Sequence, residues 1–102
     1  MNVITKKRIR DFMGRHTDAA GALERWYRAA RKAKWRSIQD VRVMFPHADS
    51  VRVASGHDVT VFNLAGNNYR LVTAIHYNPQ RVYVLRLMTH AEYDRGSWKE
   101  TL

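Results

Sequence analysis

Two short stretches bring together the side chains best suited to proton transfer and anion binding. "GNNYRL" ends in Arg70, and "MTHAEYD" supplies His90, Glu92 and Tyr93 just past the last apolar run. An imidazole can take or give a proton near neutral pH, and a phenol can donate one. A guanidinium offers the planar, bidentate donor pair that fits a phosphate. Those groups suit metal-free cleavage of RNA. That reaction needs a base for the ribose 2′-OH, cations around the phosphorane, and an acid for the departing 5′-oxygen. On this reading Arg70, His90, Tyr93 and His76 are the catalytic candidates. Arg86 is a phosphate-binding candidate.

Other chemistries lack their residues. The chain has no cysteine, which excludes disulfides and thiolate metal sites. His16, His47, His57, His76 and His90 are scattered without an i, i+4 pair, so no metal or other cofactor is expected. "AGNN" precedes no helix and cannot cradle a phosphate as a Gly-rich loop does. No serine sits in a nucleophile-elbow setting. Each candidate also has a plain structural alternative. His76 could be a satisfied strand histidine, and Arg70 a solvent-facing strand residue. His90 and Glu92 could be no more than a helix's first turn, and Tyr93 a core cap. Trp98 reads as a packing plug, and His16, His47 and His57 as structural or surface residues.

Charge points to a polyanion. Of 102 residues, 18 are Lys or Arg and 9 are Asp or Glu, for a net +9. Residues 1–52 hold 13 of the basic and 5 of the acidic side chains. A field of this sign favours nucleic acid over an anionic membrane or an acidic protein. No apolar run reaches the ~18 residues of a membrane span. The basic N-terminus lacks the apolar core of a signal peptide, so a cytoplasmic location is expected.

The elements that must position these groups follow from periodicity. One domain, residues 1–102, is expected from length. In residues 5–16, Ile9, Phe12, Met13 and His16 recur at helical spacing, with Arg8, Asp11 and Arg15 opposite. In residues 17–35, Leu23, Trp26, Ala30 and Ala33 make an apolar stripe. Arg25, Arg28, Lys32 and Arg36 form a basic face there, a second substrate-binding candidate. Ser37 caps a third short helix with Ile38, Val41 and Phe45 on one side, ended by Pro46. "VRVAS", "VTVFNL", "YRLVTAIHY" and "RVYVLRLM" then read as strands separated by turn residues. The last three should form an antiparallel meander. Tyr69, Leu71, Thr73, Ile75 and Tyr77 share one face of the third strand; Arg70, Val72, Ala74 and His76 share the other. One sheet face packs on the helices, and the other is expected to be an open concave surface. A short helix capped by Thr89 follows. Helices before strands indicate an α+β fold of about four strands.

At residues 62–100 the chain resembles the HigB family of type II toxins, within the RelE-like group of small bacterial endoribonucleases. "FN…GNNYRL" and "VYV…MTHAEYD", in that order, carry the resemblance. "MNVITKKRIRDF" and the "W…DV…F" stretch add to it more loosely. The resemblance implies helices packed on a small, mostly antiparallel sheet and ribosome-dependent mRNA cleavage that blocks translation. It also implies a helix-turn-helix antitoxin, HigA-like, in a hetero-oligomeric complex. It assigns Arg70, His90 and Tyr93 to the cutting site. One departure stands out. The family's last strand commonly reads Tyr, aliphatic, Arg, but here Tyr83, Val84, Leu85 and Arg86 follow one another. Strict alternation then turns Arg86 to the other face. Two further classes fit the scaffold: a gyrase poison of ParE type without a catalytic His and Tyr, and a basic RNA-binding module without activity.

Overall fold

A computed structural model describes every residue except Lys6, and for Arg8 its backbone only, so the expected outward placement of Arg8 lies outside the described residues. Strand β1 (Asn2–Ile4) leads into helices α1 (Lys7–Arg15), α2 (Thr17–Lys32) and α3 (Ile38–Met44). Strands β2 (Asp49–Arg52), β3 (Asp58–Leu64), β4 (Tyr69–His76) and β5 (Arg81–Thr89) follow. Helix α4 (His90–Arg95) and a 3-10 turn (Ser97–Glu100) end the chain. None of the described helices is long and apolar enough to cross a membrane.

The helical faces bury the expected residues. Ile9 and Phe12 of α1, Leu23, Trp26 and Ala30 of α2, and Val41 of α3 are all buried. They meet Phe62, Leu64, Leu71, Val82, Val84 and Leu87 from one face of the sheet. Phe62 is the hub. Its ring meets those of Trp26 at 5.3 Å, Phe45 at 5.2 Å and Trp35 at 6.2 Å. Edge and offset contacts of this kind add to the area each ring buries. Trp26 Nε1 is sealed in this layer without a hydrogen-bond partner among the described residues.

The sheet has five strands in the order β1-β5-β4-β3-β2. β3 to β5 form the expected antiparallel meander, and β2 extends it, pairing antiparallel with β3. The strand that periodicity missed is β1, which runs parallel to β5 and pairs with Arg81 to Tyr83. Three residues are too few to show a period of two. The second strand also begins earlier than read, at Asp49.

The other sheet face is not the open concave surface expected. The C-terminal segment folds back over it. Val53, Val59, Val61, Val72, Met88 and Trp98 form a second, smaller core, with Tyr93 and Leu102 packed at its margin. A short helix with apolar Tyr93 and a nearby Trp98 needs such a surface, since six residues cannot hold a helix by themselves.

Register decides where Arg86 points. Val72 pairs with Arg86 but Thr73 pairs with Val84, so Leu85 is an extra residue, a β-bulge in β5. Cross-strand partners share a face, so Arg86 lies on the side of Val72, the same side as Arg70 and its partner Met88. The expectation from strict alternation is therefore corrected: the bulge turns Arg86 back to the face of Arg70. Re-aiming one side chain is a common consequence of a bulge.

Phe62→Ala is expected to cost about 3–5 kcal/mol, because the hole cannot be filled by three rigid rings. Urea denaturation followed by tryptophan fluorescence measures it. A loss below 1 kcal/mol would contradict Phe62 as the hub.

Candidate active site

The site forms where β4 begins and β5 ends. The turn from β3 to β4 brings three successive residues to positive φ: Ala65 at 51°, Gly66 at 62° and Asn67 at 81°. Glycine and asparagine tolerate this region, whereas alanine does not favour it. The turn aims the Asn67 carbonyl back at the start of β4. Arg70 Nη1 donates to it at 2.9 Å and to the Tyr69 carbonyl at 3.1 Å.

Arg70 is only 8 % exposed, so it is not a solvent-facing strand residue. Burying a guanidinium is costly unless it is hydrogen-bonded or paired. Here two carbonyls take one nitrogen, and the Tyr93 ring lies 5.5 Å from the guanidinium carbon. A cation over an aromatic face contributes roughly 0.5–2 kcal/mol. Nε and Nη2 bond no protein acceptor among the described residues, and neither is sealed away from solvent. Arg70 is thus a fixed cation with donors to spare.

Helix α4 carries the remaining groups, and its start is built by the sequence T-x-x-E. The Thr89 hydroxyl accepts from the Glu92 amide at 3.2 Å, while Glu92 Oε1 accepts from the Thr89 amide at 3.3 Å. This reciprocal capping box sets the helix at the last residue of β5. Gly96, at φ 76°, ends it in the left-handed region. His90 donates its backbone amide to the Asn68 carbonyl at 2.9 Å, tying α4 to the same turn that holds Arg70. Tyr69 pairs with Thr89 and Arg70 with Met88, so His90 leaves the sheet one step beyond Arg70's end of the ladder.

His90 Nδ1 lies 2.8 Å from Asp94 Oδ2, with both side chains half exposed. Asp94 was missed in the sequence, although i, i+4 spacing on a short helix was there to signal it. The carboxylate favours a proton on Nδ1, which leaves Nε2 as the nitrogen with a lone pair to accept one. Tyr93 stacks on Trp98 at 5.2 Å, and Trp98 Nε1 donates to the Tyr93 carbonyl at 3.0 Å. Burial, first, and the nearby Asp49 charge push the Tyr93 phenol above its ordinary value, against an opposing pull from Arg70. Trp98 is the buried packing plug that its type suggested, and it also seats Tyr93.

From the opposite face, Tyr69 pins the strand. Its hydroxyl donates to Asp18 Oδ1 at 2.9 Å and lies 3.2 Å from His16 Nδ1. The bond to Asp18, more than burial, raises the Tyr69 pKa. His16, stacked on Phe12 at 4.3 Å, is a structural residue as its place on the apolar face suggested.

The other candidates do not join this cluster. His76 sits at the far end of β4, paired with Arg81 and edge-on to Tyr83 at 5.3 Å. It lies six steps along the strand from Arg70, roughly 20 Å. Arg25, Arg28, Lys32 and Arg36 are exposed on the helical layer, behind the sheet. Arg28 pairs with Glu24 at 2.7 Å and Arg36 with Asp40 at 3.2 Å. Arg36's backbone amide, more than its side chain, lowers the Asp40 pKa. Exposed pairs like these are weak and give way readily to a polyanion.

Spectroscopic titration is expected to show Tyr69, Tyr77 and Tyr93 ionising above the ordinary 10, and one of these three transitions should disappear in Tyr93→Phe. The folded state holds that proton more tightly than the unfolded chain does. Its contribution to stability is therefore present below pH 10 and is lost as pH rises through the raised value. An unchanged titration curve in the variant would contradict the buried setting of Tyr93.

A family model described as HigB toxin, the RelE-like toxic component of a toxin-antitoxin system, matches residues 19–96. The chain is 28 % identical over 94 residues to the mRNA interferase toxin HigB of Escherichia coli (strain K12), covering 92 % of this chain and 88 % of that one. The mRNA interferase HigB of Shigella flexneri matches to the same extent. The protein of that name from Escherichia coli O6:H1 is 26 % identical over 95 residues, covering 93 % and 90 %. A toxin of this kind has an antitoxin for a partner. The chain belongs to the HigB family of RelE-like toxins.

Proposed function

We propose that this toxin is a metal-independent endoribonuclease that cleaves mRNA at the Arg70, His90 and Tyr93 cluster. The observation that carries it is the fixed Arg70 guanidinium beside Tyr93, with His90 tethered to the same turn. Relatives across nearly the whole chain are mRNA interferases by name. In this reading His90 Nε2 takes the proton of a ribose 2′-OH while Asp94 holds Nδ1. The freed 2′-oxygen attacks the adjacent phosphorus. Arg70 Nε and Nη2 bond the non-bridging oxygens, where the extra negative charge develops. Tyr93 keeps its proton at neutral pH and gives it to the departing 5′-oxygen. The products are a 2′,3′-cyclic phosphate and a 5′-hydroxyl. The net +9 charge draws the RNA in.

The exposed basic face of α2 lies behind the sheet, so it does not hold the nucleotide being cut. It suits a second polyanionic contact, with ribosomal RNA, while the message occupies the site. The cytoplasm, where ribosomes and messages meet, is the place of action. A helix-turn-helix antitoxin of HigA type would neutralise the toxin. His76 and Arg86 stay outside the cutting step.

Purified toxin, with and without ribosomes, should leave RNA ends bearing a 2′,3′-cyclic phosphate. His90→Ala is expected to lower the cleavage rate by about 10²–10⁴, and Arg70→Ala by about 10²–10³. Asp94→Asn should act more mildly and shift the pH profile, because it changes which imidazole nitrogen carries the proton. The wild-type rate should not fall on the alkaline side until above pH 10. Induced without antitoxin, the wild type should arrest growth and both alanine variants should not. Intact transcripts together with inhibited gyrase would overturn the proposal.

A further inference from the structure

Among the described residues, β1 pairs with Arg81, Val82 and Tyr83 and no further, so β5 has no strand neighbour there on that side from Val84 onward. The bulge at Leu85 and the returning C-terminus enclose a cleft of about 370 Å³ there, between β5 and the outer side of α4. Arg86, Glu92, Arg95, Ser97, Trp98 and Thr101 line it. Arg86 is held in place, with Nη1 donating to the Leu85 carbonyl at 2.8 Å and Nη2 to Thr101 Oγ1 at 3.4 Å. Glu92 uses Oε1 in the capping box, and Oε2 has no donor among the described residues. Buried Trp98 supplies an apolar wall.

We infer that this cleft is a subsite for one unstacked base of the RNA strand, with guanine as its best fit; the inference rests on the proposed RNA cleavage and deepens it. A bare phosphate would meet the Glu92 carboxylate and be repelled. A nucleobase needs donors and an acceptor together. Guanine offers two acceptors, O6 and N7, to guanidinium donors, and N1–H with its amino group to a carboxylate. Glu92 and Arg95, at i and i+3, share one side of α4, whereas His90 and Asp94 share another. The helix therefore stands between cleft and cutting site, about 10–12 Å across. A strand cut at His90 reaches over the start of α4 and places a flanking base in the cleft.

Binding tests this without cleavage. The His90→Ala toxin is titrated with short RNAs of one length that carry guanine, inosine or adenine at each flanking position in turn. At one position guanine should bind about tenfold or more tighter than inosine, which lacks the amino group, or adenine. Glu92→Gln keeps the capping box, so the thermal midpoint should hold, yet the guanine preference should shrink to within about twofold. Arg95→Ala should weaken guanine most. Equal affinity for all three bases, or a preference unchanged by Glu92→Gln, overturns the subsite. A guanine preference in a toxin whose wild type cuts no RNA would leave the subsite standing and remove the nuclease reading.

Discussion

The arrangement depends on how a buried guanidinium is kept. Arg70 is almost wholly covered, yet among the described residues it has no carboxylate partner to neutralise it. Two backbone carbonyls and an aromatic face stand in for one. Backbone carbonyls cannot swing away, so this cation keeps its direction. An acidic partner would have cancelled the field that an anionic substrate needs. The site is electropositive because its positive charge is anchored by dipoles.

Everything near Arg70 serves that anchor. The left-handed turn delivers one carbonyl, and the same turn holds the His90 amide. The capping box fixes α4 at the end of β5, which lowers Tyr93 over the guanidinium. Trp98 backs Tyr93 from the second core. On the far side of the sheet, Tyr69 clamps the first residue of β4 to α2 through Asp18. Strain in the turn and packing on both sheet faces are thus spent on a few side chains at one corner.

Much of this was legible in the chain. The stripe Leu23, Trp26, Ala30 and Ala33 has a helical period that only a buried face explains, and all four are buried. The meander follows from β-branched runs and their turn residues. The T-x-x-E start of α4 is a local signal, readable without the fold. What stayed hidden needs a partner to exist. The Leu85 bulge is a relation between two strands, and no residue of β5 alone announces it. β1 is too short for a period. The burial of Arg70 comes from a C-terminal segment that returns from over twenty residues away. The separation of His76 from Arg70 is different: strand spacing alone puts the two at opposite ends of β4. For candidate residues, type was informative and company was not.

The central claim is that Arg70 and His90 act on one phosphate. A double-mutant cycle on the single-turnover cleavage rate tests it. If the two groups serve the same transition state, Arg70→Ala combined with His90→Ala should cost little more than the worse single change. Losses that multiply in the double variant would show that the two act independently, and would contradict a shared site.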